Sequence, residues 1–457
     1  MACNMLDSML YRNSYSTPKM REIFDDVAMI QNILDIEAAL AETQAEMGLI
    51  PKEAAEEIVK KAKAENLDIP RIESEIKRIG HSLVPILKEF QRVCDNNLGE
   101  YVHMGATTQD IIDTAFMLSI KRGYEVILAD MRETEQNLIA LVEKYRDTIM
   151  PGRSHTQQAL PITFGYKVAV WASEVHRNIE RMEECQKRCF VGEMSGAVGS
   201  MAGFGPQGME VCARTIKRLG LDVPDVAWHV SRDRISEICM TLAMMAYTNG
   251  KIGNELANLQ KTELSEAFEG FVPGSVGSST MPHKRNPNKL ESLQMLAKLT
   301  KAAMDANMES MMCENERDGA LWKIEWKAAP EVVILAGSSA NNVKVVTAHL
   351  EVDAAKMRAD LDILKGLMQS EGIMLELGKY VGKQTAHGIV YQICMDTFEK
   401  KADFCDMLMK NETVAAHMTR EQVQKILAPE GYVGLCGEIC DQVVAHIRSD
   451  NEAKAKA

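Results

Sequence analysis

Between Pro85 and Pro151, and again between Pro330 and Pro429, the chain contains no proline. That spacing constrains the fold more than any other feature. Proline interrupts a helix because it lacks an N–H donor and its ring collides with the preceding turn, so these stretches permit very long helices. Residues 111–149 use the opportunity: Ile112, Phe116, Ile120, Ile127, Met131, Leu138, Val142, Tyr145 and Ile149 recur at helical spacing. A helix of that extent is about 60 Å long at 1.5 Å per residue. Similar periodicity covers about 161–190, 234–269, 288–313 and 331–349. Long helices joined by short Gly- or Pro-containing loops predict a bundle.

The flanks differ. Residues 1–106 read as a small helical domain, with Ile30, Ile33, Leu34, Ile36, Leu40 and Met47 on one face and Gly48 as its cap. Pro51 opens a second helix expected to end near Asn66. Residues 107–365 form the expected central bundle. Residues 366–457, punctuated by Gly366, Gly372, Gly378, Gly382 and Gly431, form a third, smaller helical domain. The expectation is an all-α chain of three domains. Broad apolar faces, as in Ile235–Met245 and Met295–Met312, predict packing onto further copies of the chain.

Composition excludes several classes. A net charge of −13 without a Lys/Arg-rich run argues against nucleic acid, whose binding depends on neutralising phosphates. No apolar run reaches the ~18 residues of a membrane span, and Met1 to Ile23 lack a signal-peptide core. The expected location is the cytoplasm. The 11 cysteines are scattered, and Cys185/Cys189 and Cys436/Cys440 have the i, i+4 spacing of helix packing. They read as reduced thiols with no metal site.

Three polar segments break the helical pattern. Gly105-Ala106-Thr107-Thr108-Gln109-Asp110 precedes the longest helix, where Thr107 or Thr108 can cap it or hold a carboxylate. Gly152-Arg153-Ser154-His155-Thr156-Gln157 lies between two helical stretches. The third, Gly277-Ser278-Ser279-Thr280-Met281-Pro282-His283-Lys284-Arg285-Asn286-Pro287, combines hydroxyls, cations and an amide in a loop that its prolines keep from being helical. Glu291 follows it closely. One chemistry would bring the three together. Removing a proton beside a carboxylate creates a dianionic aci-carboxylate, which needs fixed cations and hydrogen-bond donors, a base and an acid. Lys284 and Asn286 are suitable donors, imidazole titrates in the useful range, and a serine can be the base only if its alkoxide is stabilised.

The third segment resembles the signature loop of the fumarase/aspartase superfamily, roughly G-S-S-x-M-P-x-K-x-N-P, and the other two match that superfamily in order and spacing. The resemblance covers nearly the whole chain. It implies a cofactor-free homotetrameric lyase with active sites shared between subunits, acting on a small dicarboxylate or tricarboxylate. Ser278 corresponds to the base on a mobile loop, expected over about 272–285 with Gly274 and Gly277 at its start. Lys284 and Asn286 correspond to the carboxylate-binding pair, and His155 to the histidine that protonates the leaving group, with Glu291 as its charge partner. Thr107, Thr108, Gln157, Ser279, Met281 and Arg317 correspond to substrate-binding positions. His81, in Gly80-His81-Ser82, resembles a further active-site histidine of adenylosuccinate lyases.

Two branches of the superfamily compete. Arg153-Ser154-His155, Ser195-Gly196-Ala197-Val198-Gly199 and Arg232-Asp233-Arg234 resemble adenylosuccinate lyases. Gln157-Gln158-Ala159-Leu160-Pro161, Leu321-Trp322-Lys323-Ile324-Glu325-Trp326 and Leu350-Glu351-Val352-Asp353-Ala354-Ala355 resemble 3-carboxy-cis,cis-muconate cycloisomerases. Two cations of the nucleotide-phosphate site are replaced: Ser14 stands in place of an Arg before Tyr15-Ser16, and Trp326 falls where another Arg is expected. Arg forks dominate phosphate recognition, so adenylosuccinate is disfavoured. The expected reaction is elimination of an amino- or oxy-linked group from a substituted succinate to release fumarate or an analogue. The alternatives are cycloisomerase, adenylosuccinate lyase proper and a catalytically idle, crystallin-like homologue. Retention of Ser278, Lys284, Asn286, His155 and Glu291 argues against idleness.

Overall fold

The structure, a computed structural model, describes residues 4–270 and 278–456. It is 72% helix against 4% strand, so the fold is all-α. Two compact units are each drawn from three separated stretches. One comprises Met1–Met131, Asn178–Gly250 and Ser292–Asn342; the other comprises Arg132–Arg177, Lys251–Glu291 and Val343–Ala457.

In the first unit, α1 (Asp26–Glu46) starts where the Asp25 carboxylate accepts the Ala28 N–H at 2.7 Å. It gives way to Gly48 at φ 71°, a conformation glycine adopts without steric cost. Ile30, Ile33, Leu34, Ile36 and Leu40 are buried, as their spacing requires. Pro51 caps α2 (Lys52–Lys61), which ends well before Asn66. The Gln31 amide diverts the chain there: its Nε2 donates to the Ala62 carbonyl at 3.0 Å and its Oε1 accepts from the Ala64 N–H at 2.9 Å. Helices α3 (Ile69–Ile79) and α4 (Val84–Val93) follow.

The long helix is α5 (Thr108–Lys144), 37 residues. It stops short of Ile149, which instead opens strand β1 (Ile149–Ser154), paired antiparallel with β2 (Gln157–Thr163). Pro151 pairs with Pro161; neither residue can donate to a helix, and a hairpin at these positions needs nothing from them. The register shifts between Pro151 and Arg153. A side chain at Gly152 would come within 2.6 Å of the Leu160 carbonyl.

Helix α6 (Phe164–Cys189) precedes α7 (Asp233–Leu259), α8 (Asn288–Met308) and α9 (Gly319–Ala348). The periodicity expected to 269 ends at Leu259 because Ala267–Phe268 pair with Glu351–Val352 as a short ladder. Helix α9 begins earlier than its expected start at 331 and runs through Pro330. Packing holds a helix that local preference would break: Ala328, Ala329, Val332 and Val333 are all buried. In the second unit, Ile373, Leu377, Val390, Phe404, Leu408, Val414 and Val423 form an apolar cluster of their own. On α7, Met240, Met244 and Tyr247 stand at i, i+4 and i+7 with 48%, 49% and 45% exposure. They leave an apolar stripe facing solvent. Among the described residues, no helix is long and apolar enough to cross a membrane.

Candidate active site

Each unit carries one set of the expected residues. In the first, Thr107 leads into α5. Of the two roles open to the threonines, capping or holding a carboxylate, the first is shared by the Asp110 carboxylate, whose Oδ2 accepts the Thr107 N–H at 2.9 Å. The Thr107 hydroxyl instead meets Arg317: Nη1 donates to Thr107 Oγ1 at 2.9 Å and Nε to Gln109 Oε1 at 3.1 Å. Thr107 and Thr108 are half-buried. With its oxygen accepting from Arg317, the Thr107 O–H points its proton elsewhere. A guanidinium and hydroxyl donors thus sit at a helix N-terminus, a set suited to a carboxylate.

Behind this group lies a buried network that the sequence did not reveal. Asp110 accepts the Ser195 and Gly196 N–H groups at 2.9 Å each and bonds His229 Nε2 at 2.9 Å. Burial by itself would lower the His229 imidazole. The Asp110 bond and the nearby charges of Glu193, Asp110 and Asp113 outweigh it and raise it above the usual range. Glu193 accepts the Ser195 hydroxyl and, at 2.6 Å, the Trp228 N–H; burial pushes its carboxyl up to about 7. A side chain at Gly105 (φ 85°) would strike the Phe204 ring within 2.5 Å. The threonine loop is therefore clamped against residues 195–204.

His81 is half-buried, and its Nδ1 accepts the N–H groups of Leu83 and Val84 at 3.2 and 3.1 Å. This bond caps α4 and leaves Nε2 as the ring's protonated nitrogen.

In the second unit, Ser278 Oγ accepts the N–H groups of Thr280 and Met281 at 3.3 and 3.0 Å. Amide donors aimed at a hydroxyl oxygen stabilise its anion, the condition that a serine base requires. Ser279, Met281 and Lys284 are exposed. Met281, Lys284 and Asn286 line a cleft of about 690 Å³ together with Lys261, His283 and Arg285, a cationic concavity on a chain of net charge −13. Gly274 and Gly277, expected at the start of the loop, lie outside the described residues. Two carboxylates unnoticed in the sequence position this region. Glu269 accepts the N–H groups of Lys289 and Leu290 at 2.9 and 3.2 Å, at the start of α8. Glu266 takes a bidentate bond from Arg153 at 2.8 and 2.7 Å, tying the hairpin to the segment before the loop.

His155 lies between two helices, α5 and α6, as its neighbours suggested, but on regular structure. It occupies the tip of the β1–β2 hairpin, where His155 (φ 48°) and Thr156 (φ 67°) form a two-residue turn between Ser154 and Gln157. Positive φ at both central residues is the type I′ geometry, usually given to Asn or Gly. Two such residues without glycine mark strain of the kind found at functional sites. His155 and Gln157 are exposed. Glu291 is exposed in the first turn of α8; among the described residues no hydrogen bond or ion pair joins it to His155.

This geometry, an all-α scaffold presenting a cationic serine loop and a threonine–arginine group, is that of a helical lyase. The lyase family model matches residues 12–300, and the adenylosuccinate lyase C-terminus model matches residues 366–443. An N-acetyl-S-(2-succino)cysteine lyase of Enterococcus italicus is 42% identical over 97% of this chain and 98% of its own length. An adenylosuccinate lyase of Methanocaldococcus jannaschii is 38% identical over 95% of each. A 3-carboxy-cis,cis-muconate lactonizing enzyme from Pseudomonas putida superposes with a TM-score of 0.91 at 31% identity, over 97% of this chain and 99% of that one. The chain belongs to the fumarase/aspartase superfamily and is a lyase.

Proposed function

We propose that this lyase eliminates a thiol from a 2-succinyl thioether, releasing fumarate, and that the thiol belongs to an N-acylated cysteine. The observation that carries the elimination is Ser278, with two amide N–H groups on its oxygen beside a cleft that holds Lys284 and Asn286. As an alkoxide, Ser278 takes the C3 proton of the succinyl group. Lys284 and Asn286 stabilise the aci-carboxylate that results. The C2–S bond then breaks, its electron pair leaves on sulfur, and His155 supplies the proton that makes the free thiol. Thr107 and Arg317 hold the other carboxylate.

Sulfur replaces the amino- or oxy-linked leaving group expected from sequence because a relative 42% identical carries the name of a succinocysteine lyase. Trp326 and Ser14, in place of two phosphate-site arginines, support a substrate without a nucleotide. Cycloisomerisation is the second reading, favoured by the backbone likeness to the lactonizing enzyme. The exposed Met240–Met244–Tyr247 stripe supports a homotetramer packed through its central helices. The exposure of His155 and Glu291 supports sites completed by neighbouring subunits.

The test is a substrate panel followed by fumarate absorbance and thiol titration: N-acetyl-S-(2-succinyl)cysteine, amino- and oxy-substituted succinates, adenylosuccinate and 3-carboxymuconate. Equal release of fumarate and thiol from the thioether is expected. Efficient cleavage of adenylosuccinate in preference to it would overturn the reading.

A further inference from the structure

In the first unit, the end of α6 carries Cys185 and Cys189, one helical turn apart and 1% and 0% exposed. Their sulfurs are 3.5 Å apart. The spacing alone reads as packing, and packing does bury both. What it does not show is a third group brought from α7, 48 residues further along: Glu237 Oε2 lies 3.4 Å from Cys189 Sγ. One atom from each of the three side chains lies within 4.8 Å of the other two. The Glu237 side chain is 34% exposed, so the Cys189 sulfur sits directly beneath a carboxylate that reaches solvent.

These separations are those of a tetrahedral metal site. Zn–S bonds of about 2.3 Å and Zn–O bonds of about 2.0 Å place two sulfur ligands roughly 3.8 Å apart, and a sulfur and an oxygen roughly 3.5 Å apart. A cation therefore needs shifts of only a few tenths of an ångström. The carboxylate is already oriented for it: Arg188 Nε donates to Glu237 Oε2 at 2.9 Å and Nη2 donates to Oε1. With Oε2 on a metal, Arg188 keeps Oε1, the outer hydrogen bond that ligating carboxylates ordinarily have. Contacts with Cys189, and then with the hydroxyls of Tyr124 and Thr241, hold the Cys185 thiol below its ordinary value against the effect of burial. Two thiolates, the carboxylate, the guanidinium and a dication are together neutral, which suits a site this deep.

We propose that Cys185, Cys189 and Glu237 bind one thiophilic divalent cation of the Zn2+ type and so staple α6 to α7. Each thiol that ligates gives its proton to solvent, and water fills the fourth position on the side of Glu237. Sulfur ligands select such ions over Mg2+, which takes oxygen ligands in near-octahedral geometry. None of the three residues belongs to the catalytic set, so occupation of the site acts through stability and not through the elimination step.

The experiment titrates Cd2+ and Zn2+ into the full chain after reduction with a phosphine and removal of metal with a chelator. Thiolate-bound Cd2+ gives an ultraviolet sulfur-to-metal charge-transfer band, expected to saturate at one ion per chain. Cys185→Ser and Cys189→Ser are expected to abolish the band. Cys440→Ser, in the other cysteine pair of the same spacing, is expected to leave it intact. Glu237→Gln is expected to weaken Cd2+ binding by at least the ~10-fold that a change in an outer partner alone costs. Zn2+ is expected to raise the melting temperature of the wild type and of Cys440→Ser and to leave that of Cys189→Ser where it was. If the serine variants lose helical content in circular dichroism, Glu237→Gln decides by itself, because its side chain is partly exposed: unchanged Cd2+ affinity overturns the site. No band in the wild type, a band that survives Cys189→Ser, or displacement of Cd2+ by millimolar Mg2+ overturns it as well.

Discussion

Ser278 and Lys284 stand on the same short segment but would act at different stages of the reaction, so their substitutions separate. Ser278→Ala is expected to cut turnover by about a hundredfold or more, on the order of a general-base contribution, with substrate still bound. Lys284→Met should harm binding and turnover together, because the charge serves both ground state and intermediate. Steady-state kinetics with a separate binding measurement distinguishes the two, and near-normal turnover of Ser278→Ala would leave His155 as the base. At the hairpin tip, Thr156 pays a steric cost for its φ of 67°, about 1–2 kcal/mol for an L-residue in the left-handed region. Thr156→Gly removes that cost but adds about 0.5–1 kcal/mol of unfolded-chain entropy. A net stabilisation of about 0.5 kcal/mol is expected in urea unfolding. Loss of stability would show that the turn is not strained.

Among the elements, the junction of α5, α7 and α9 concentrates buried charge. Arg232 on the approach to α7 is fully buried, with Nη1 2.7 Å from Asp113 and Nε 3.1 Å from Glu325. Arg232→Met would strand two buried carboxylates, and removing one partner of such a group costs about 3–5 kcal/mol. A shift in the denaturation midpoint of under 1 kcal/mol equivalent would contradict this. Glu193 makes a prediction of defined sign. Its carboxyl, ordinarily near 4.5, is pushed up to about 7 by burial. Below pH 4.5 the group is protonated folded or unfolded. Between pH 4.5 and 7 the folded chain holds the extra proton, so stability from this group falls as pH rises, and above pH 7 the loss is complete. Glu193→Gln is therefore expected to gain in melting temperature relative to wild type between pH 5 and pH 8. A difference that stays constant across that range would refute the assignment.

For the whole molecule, α7 carries an exposed apolar stripe, and His155 and Glu291 face solvent. In the proposed tetramer, His155, Ser278 and Thr107 come from different subunits. Mixing inactive His155→Ala and Ser278→Ala proteins under subunit exchange is expected to restore part of the activity, because some sites then receive both intact residues. A monomer in sedimentation at micromolar concentration would sink the assembly.

Helix positions, the three polar segments and the lyase class were legible in the sequence, because periodicity and proline spacing act locally and the signature segment is long and specific. Helix ends were less legible. Lys144, Leu259 and the start of α9 at Gly319 are decided by strand pairing and burial, which involve residues far along the chain. The local polarity that marked Thr107 and His155 could not show that Asp110 caps α5 or that His155 tops a strained hairpin. Nor could it show the supports at Glu266, Glu269 and His229, whose partners lie up to 120 residues away. No periodicity or motif points to Trp326 as a donor without an acceptor. Spacing along the chain determines which elements form; only their packing decides which polar groups meet and which, like Trp326 Nε1, do not.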